Sequence, residues 1–230
     1  MHVLPNDLGK LATVCATPES ESWKMFRGTG GVHLELADGH WRATAMNDSM
    51  LVSVVGPCAT KSDEYPVIPD LPAVEKPVLA AVIPERGWKE AMAESKKLVK
   101  RHTPDALKSV AVDIGEKESV LASTNLDKHA VCKVENIDGR LPDWKRVIPS
   151  ARMTSRFTVT LDRERLIHML TTMDSVADDE FANVTISYYG DEDPLVFRLE
   201  SESGRKVLGA IGVLNHEEEQ PYDDRFDEMV

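Results

Sequence analysis

The chain has 230 residues, 42% of them hydrophobic and 29% charged, and a formal net charge of -12. That size and balance fit a soluble globular protein of one large or two ordinary domains, able to bury a core without covalent staples. The acidic excess excludes indiscriminate coating of nucleic acid by the whole surface, which requires the opposite sign, but leaves room for a local basic face.

The first segment opens with at most a very short strand. A short helix follows, with Leu8, Leu11, Ala12 and Cys15 at i, i+3, i+4, i+7 spacing. Strands are expected at Val32–Leu36, Trp41–Met46 and Leu51–Val55. The next stretch, residues 56–77, carries Pro66, Pro69, Pro72 and Pro77 and reads as a linker, because proline removes backbone donors.

Beyond it, Val78–Val82 reads as a strand and Glu85–Arg101 as a helix with Trp88, Met92 and Val99 on one side. Strands Ser109–Ile114, Ser119–Thr124 and Ala130–Glu135 are separated by turn-like Gly115-Glu116-Lys117 and Asn125-Leu126-Asp127-Lys128. The order then recurs. Phe157–Leu161 is strand-like, Asp162 is placed to cap a helix over Arg163–Met173, and strands follow at Val184–Tyr189, Leu195–Glu200 and Lys206–Val213. The chain thus reads as three βαβββ units with a period of about 75 residues. Residues 217–230 form an acidic tail, expected to be solvated and mobile.

Motifs for chemistry are weak. The three cysteines, Cys15, Cys58 and Cys132, form no CxxC pair, and the seven histidines form no HxH or HExxH spacing, so no metal is expected. Gly28-Thr29-Gly30-Gly31 precedes a strand and not a helix, which suits a turn better than a phosphate-binding loop. No GxSxG or cysteine-histidine motif is present, so neither catalysis nor a cofactor is expected. No apolar run approaches the roughly 18 residues needed to span a bilayer, and Met1–Asp7 lacks the regions of a signal peptide, so a cytoplasmic location is expected.

The most specific stretch is Asp138-Gly139-Arg140-Leu141-Pro142-Asp143-Trp144-Lys145-Arg146-Val147-Ile148-Pro149. It resembles the junction between the second and third domains of bacterial DNA polymerase III β sliding clamps, differing at Leu141, where an aromatic is usual, and at Lys145, where arginine is common. Val82-Ile83-Pro84-Glu85-Arg86-Gly87-Trp88 and Asp179-Glu180-Phe181-Ala182-Asn183-Val184 are similar to two further clamp segments in the same order. Ala45-Met46-Asn47-Asp48-Ser49-Met50-Leu51 has largely lost a family signature at that place.

The resemblance implies an α+β DNA clamp fold of repeated βαβββ units, with antiparallel sheets and helices on one face. Residues 1–149 would form one complete clamp-like domain and 150–216 half of another. The family's first domain and last half domain have no counterpart here, so closure of a ring by the family's usual contact is not expected. The third unit is expected to pair with its twin across a twofold, making a homodimer or higher homo-oligomer.

Two surfaces follow from the resemblance. On the second unit's helix, Lys89, Lys96 and Lys100 recur at i, i+7, i+11, widened by Lys97 and Arg101, with Lys10 and Lys24 added from the first unit. Taken alone, such a stripe is most simply a solvated helix face; in a clamp it would contact duplex DNA without sequence specificity. The second surface is a hydrophobic cleft for clamp-binding peptides of polymerase or repair proteins, carried over onto Thr29, Met46, Met50, Leu51, Pro142, Arg146, Val147 and Phe181. Interdomain packing is an equally good account of Val147 and Phe181. A clamp-derived interaction module that does not encircle DNA is the alternative function.

Overall fold

The computed structural model describes residues 2–37, 39–58, 65–100, 102–104, 107–139, 141–143, 159, 161–176, 183–190, 193–200 and 206–212. The chain divides into two compact units, one carrying Met1–Ser150 and the other Ala151–Tyr222.

In the first of these, β1 (His2–Pro5) leads into a 3-10 helix over Asn6–Val14. A short α1 (Glu21–Met25) and a 3-10 turn (Arg27–Gly30) precede β2 (Gly31–Ala37), β3 (His40–Met46) and β4 (Leu51–Pro57). After the linker come β5 (Ala80–Pro84), α2 (Glu85–Leu98), β6 (Ser109–Ile114), β7 (Glu118–Thr124) and β8 (His129–Glu135). The strands form two four-stranded antiparallel sheets, ordered β4-β3-β2-β5 and β1-β6-β7-β8.

The two repeats are interlocked through these sheets. β1 leaves its own repeat to pair with β6, Leu4 opposite Val110, while β5 pairs with β2, Ile83 opposite Val32. Each repeat therefore supplies the edge strand of the other. Alternation puts Val32, Leu34 and Leu36 of β2, and Val110, Val112 and Ile114 of β6, into one shared core. The helices seal it with Leu8, Leu11 and Ala12 from one repeat and Trp88, Ala91 and Met92 from the other. The fully buried Trp88 ring donates its Nε1–H to the Leu8 carbonyl at 3.0 Å, so the largest core side chain is also paired.

The described part of the proline-rich linker over residues 65–77 forms no strand, yet it is not merely solvated. Tyr65 and Ile68 are buried against Val3, Ala111 and Ala122, and the Tyr65 hydroxyl donates to the Ser109 carbonyl at 3.4 Å. β4 also continues through Gly56 and Pro57, which composition alone assigns to the linker.

Helix α2 stops at Leu98, short of the expected Arg101. Val99 turns extended at φ -81 and ψ 129, and the Lys100 amide donates to Thr103 Oγ1 at 2.7 Å instead of to the helix. Arg101 lies outside the described residues.

In the second unit, α3 (Arg163–Val176) packs on a three-stranded sheet of β9 (Val184–Ser187), β10 (Leu195–Glu200) and β11 (Lys206–Ile211), ordered β11-β10-β9. Asp162 caps α3 as expected: its Oδ1 accepts from the Arg165 amide at 2.9 Å, and that bond holds the carboxyl below its ordinary range. Met173, Leu195, Phe197 and Ile211 form the core of this unit. The expected strand Phe157–Leu161 is described only at Val159 and Leu161, and the acidic tail lies outside the described residues.

Candidate functional site

The lysines of α2 start from helix geometry. With Trp88, Ala91, Met92 and Ser95 buried, the opposite face carries Arg86, Lys89, Ala93, Lys96 and Lys97 to solvent. The helix holds four basic and three acidic residues, so the face is less basic than a lysine stripe implies. Lys89 pairs with Glu85 one turn earlier, and Lys97 with Glu94 at 2.5 Å. Lys24 on α1 is likewise paired with Glu21 at 2.6 Å. Exposed pairs of this kind contribute about 0–1 kcal/mol and exchange readily for another anion. Lys96 and Lys100 are exposed and make no ion pair among the described residues, and Lys10 is exposed on the first 3-10 helix. Positive charge therefore concentrates where α2 ends, at Lys96 and Lys100, with the Glu94-paired Lys97 beside them. The negative end of the helix dipole favours cations there.

The cleft residues divide sharply by burial. Thr29 is wholly buried in the 3-10 turn: its hydroxyl and its amide both donate to the Phe26 carbonyl, at 2.9 and 3.0 Å. Its own carbonyl accepts from Ala16 at 2.8 Å, so Thr29 shapes the turn and presents nothing to a ligand. Met46 closes β3 opposite Leu51 and is 9% exposed, whereas Met50 at the β3–β4 hairpin tip is 54% exposed. Asn47 builds that tip, its Oδ1 accepting from the amides of Ser49 and Met50 at 2.8 Å each. Leu51 and Pro142 are half-buried. Arg146, Val147 and Phe181 lie outside the described residues.

The start of the junction segment does meet the turn. A Cβ on Gly139 would come within 2.7 Å of Arg27 Cβ and 2.8 Å of the Gly28 nitrogen, so only glycine allows this close approach.

Sequence reasoning missed α1 and what it carries. Ser20 caps it by accepting from the Trp23 amide at 3.2 Å, and the Trp23 ring lies over Gly30, where any Cβ would collide. Asp48 accepts from the Ser22 amide at 2.7 Å, tying α1 to the hairpin tip, and hydrogen bonding by Ser22 holds its carboxyl below the ordinary range. Met25 on this helix is 72% exposed. Thr17-Pro18-Glu19-Ser20 is the available signal, a turn followed by a capping serine, but five residues are too few for periodicity to register.

The crevice between α2 and the β7–β8 hairpin, lined by Glu90, Glu94, Ser123 and Cys132, holds about 50 Å³, room for a water and not a substrate. Cys15 is buried and its thiol is pushed up to about 12, chiefly by desolvation, so it is no nucleophile at neutral pH. Among the described residues no group of three or more His, Cys, Asp or Glu side chains is placed to hold a metal, and no helix is long and apolar enough to cross a membrane.

No protein-family model and no curated protein sequence matches the chain. Solved structures do. The DNA polymerase sliding clamp from Bacillus subtilis superposes with a TM-score of 0.64 at 16% identity, over 92% of this chain and 48% of the clamp. The DNA polymerase III subunit beta from Pseudomonas aeruginosa gives 0.62 at 15% identity, over 92% and 50%. The sliding clamp from Caulobacter crescentus gives 0.60 at 14% identity, over 96% and 51%. The chain spans about half the length of the clamps it matches. Its antiparallel sheets, its interlocked repeats and these superpositions agree that it has the fold of the bacterial DNA polymerase III β sliding clamp.

Proposed function

We propose that this chain is a sliding-clamp-like scaffold in the cytoplasm, which associates with duplex DNA and tethers replication or repair proteins, without catalysing a reaction itself. The observation that carries the proposal is the basic end of α2, where Lys96, Lys97 and Lys100 stand exposed on a fold shared with DNA polymerase sliding clamps. Lysines near phosphates give attraction that is independent of sequence and falls with salt. Partner peptides would dock by apolar anchors beside Met46, Met50, Leu51 and Pro142, where the exposed thioether of Met50 supplies an adaptable surface. The residues 1–149 and 150–216 act in this reading as one complete and one half clamp-like domain.

Fluorescence anisotropy with a labelled duplex at low and moderate salt tests the DNA arm. Changing Lys96, Lys97 and Lys100 to glutamate is expected to abolish binding at moderate salt. If each of the three lysines neutralises a phosphate, replacing one lowers the slope of log K against log salt by about 0.9. Salt-independent binding, or none by the unaltered chain, rejects this arm. A second reading, a clamp-derived interaction module that never engages DNA, is favoured by the net charge of -12 and by the three glutamates interspersed along α2. Peptide capture that persists while duplex binding is absent would select it.

A further inference from the structure

We infer that the β7–β8 hairpin tip and the end of α2 form one docking surface for an acidic protein segment that carries an apolar residue, with Leu126 as the anchor. This goes beyond the DNA reading: it shares lysines with that reading but requires no binding of duplex.

The first two repeats close their last hairpins with the same kind of turn. At the β3–β4 tip the Asn47 amide donates to the Met50 carbonyl at 2.9 Å, while Asn47 Oδ1 accepts from the Ser49 and Met50 amides. At the β7–β8 tip the Asn125 amide donates to the Lys128 carbonyl at 3.0 Å, and Asn125 Oδ1 accepts from the Asp127 and Lys128 amides at 3.2 and 2.8 Å. The second tip is fastened further: Thr124 Oγ1 donates to the Lys128 carbonyl and accepts from the Leu126 amide, at 3.0 Å each. It also holds Leu126 in the left-handed region, at φ 77. Among the described residues three non-glycine positions have positive φ, Asp70, Lys76 and Leu126, and only Leu126 is apolar. Leucine is strained there where glycine or asparagine is not, and at 71% exposure burial returns little of that cost. A turn made rigid by hydrogen bonds thus holds an apolar side chain out in solvent, the arrangement of a preorganised anchor.

The surroundings of the tip set the charge of the partner. Asn125 Nδ2 donates to the carbonyl of Leu98, the last residue of α2, at 3.2 Å, which fixes the tip against the helix end. Lys96, Lys97 and Lys100 flank Leu98 in the chain, and Lys128 is exposed on the tip itself. Against them stand Asp127 on the tip and Glu94, which pairs with Lys97. The balance is basic. A nucleic-acid backbone would use these lysines and leave Leu126 in water. A segment rich in aspartate or glutamate with one apolar side chain uses both: its carboxylates meet the lysines while its apolar residue packs on Leu126 and takes it out of solvent.

Fluorescence anisotropy of the full chain at low salt, with a labelled synthetic peptide rich in glutamate around a central phenylalanine–leucine pair, tests the surface. Binding is expected, and Leu126→Asn is expected to weaken it by about tenfold or more, the effect typical of removing an apolar anchor. Replacing the apolar pair of the peptide by serines should cause a similar loss. Because asparagine suits left-handed backbone, Leu126→Asn should melt at or above the temperature of the unaltered chain. The same variant should bind a labelled duplex as the unaltered chain does, so failure of the DNA reading leaves the peptide result standing. Absence of peptide binding overturns the inference, as does equal binding by Leu126→Asn or by the serine peptide. A lower melting temperature in Leu126→Asn, or a loss of duplex affinity as large as the loss of peptide affinity, overturns it as well, by giving Leu126 to the fold or to nucleic acid.

Discussion

Each of the three repeats places a helix before three antiparallel strands, yet among the described residues only the first two are sealed. Trp88 disappears into a core shared by two helices and two sheets, while Leu166, Met169 and Leu170 of α3 remain half in water over a single three-stranded sheet. The difference shows that a βαβββ repeat of this length is half of a folding unit. Its helix covers only part of its sheet, and the neighbour supplies both the remaining cover and an edge strand.

The largest contrast should appear when a carboxylate is placed at equivalent core-facing positions. Leu34→Asp buries an unpaired charge and is expected to cost more than about 4 kcal/mol, enough to unfold the first unit in urea titrations. Ile186→Asp, at a position 59% exposed, should change the stability of the second unit by less than about 1 kcal/mol. Equal costs would show that β9 is as well covered as β2. Trp88→Ala should come next, costing about 3–5 kcal/mol by loss of packing, and more if the Leu8 carbonyl finds no water.

A smaller effect is expected at Thr29. Replacing it by valine removes a buried hydroxyl that donates to Phe26, which should cost about 1 kcal/mol in thermal denaturation and leave peptide capture unchanged. A loss of peptide affinity without a loss of stability would return Thr29 to the cleft. The last prediction, silent at neutral pH, concerns Cys15. Burial raises its thiol from 9.0 to about 12, so the folded state prefers the protonated form. Its contribution is fully present below pH 9 and is lost as pH rises toward about 12, because the unfolded thiol ionises first. Alkylation of the native protein should accordingly label half-buried Cys58 well before Cys15.

Much of the fold is written locally in the chain. Alternation at Val32-His33-Leu34-Glu35-Leu36 marks a half-buried strand, and Asp162 before an apolar-periodic segment marks a helix start; both hold in the structure. The exchange of β1 and β5 between repeats is not legible there, because pairing between distant segments leaves no local pattern. Periodicity carries helix α2 three residues too far, since Val99 continues the apolar side while its backbone is already extended. At the site, exposure and partners escape the sequence. Position-by-position likeness to a family sets buried Thr29 beside exposed Met50, and helix spacing alone joins Lys89, bound to Glu85, to Lys96.

The contrast between repeats extends to the helix faces in solvent. α2 ends in Lys96 and Lys97, with Lys100 just beyond, whereas α3 exposes Ile167 and Thr171 and has no basic residue in its last turn. Amide hydrogen exchange of the full chain at low salt, with and without a duplex, reads both helices at once. DNA association predicts added protection at the C-terminal turn of α2 and through residues 99–103, with none along α3. Unchanged exchange at the end of α2 under saturating duplex, or protection centred on α3, would contradict it.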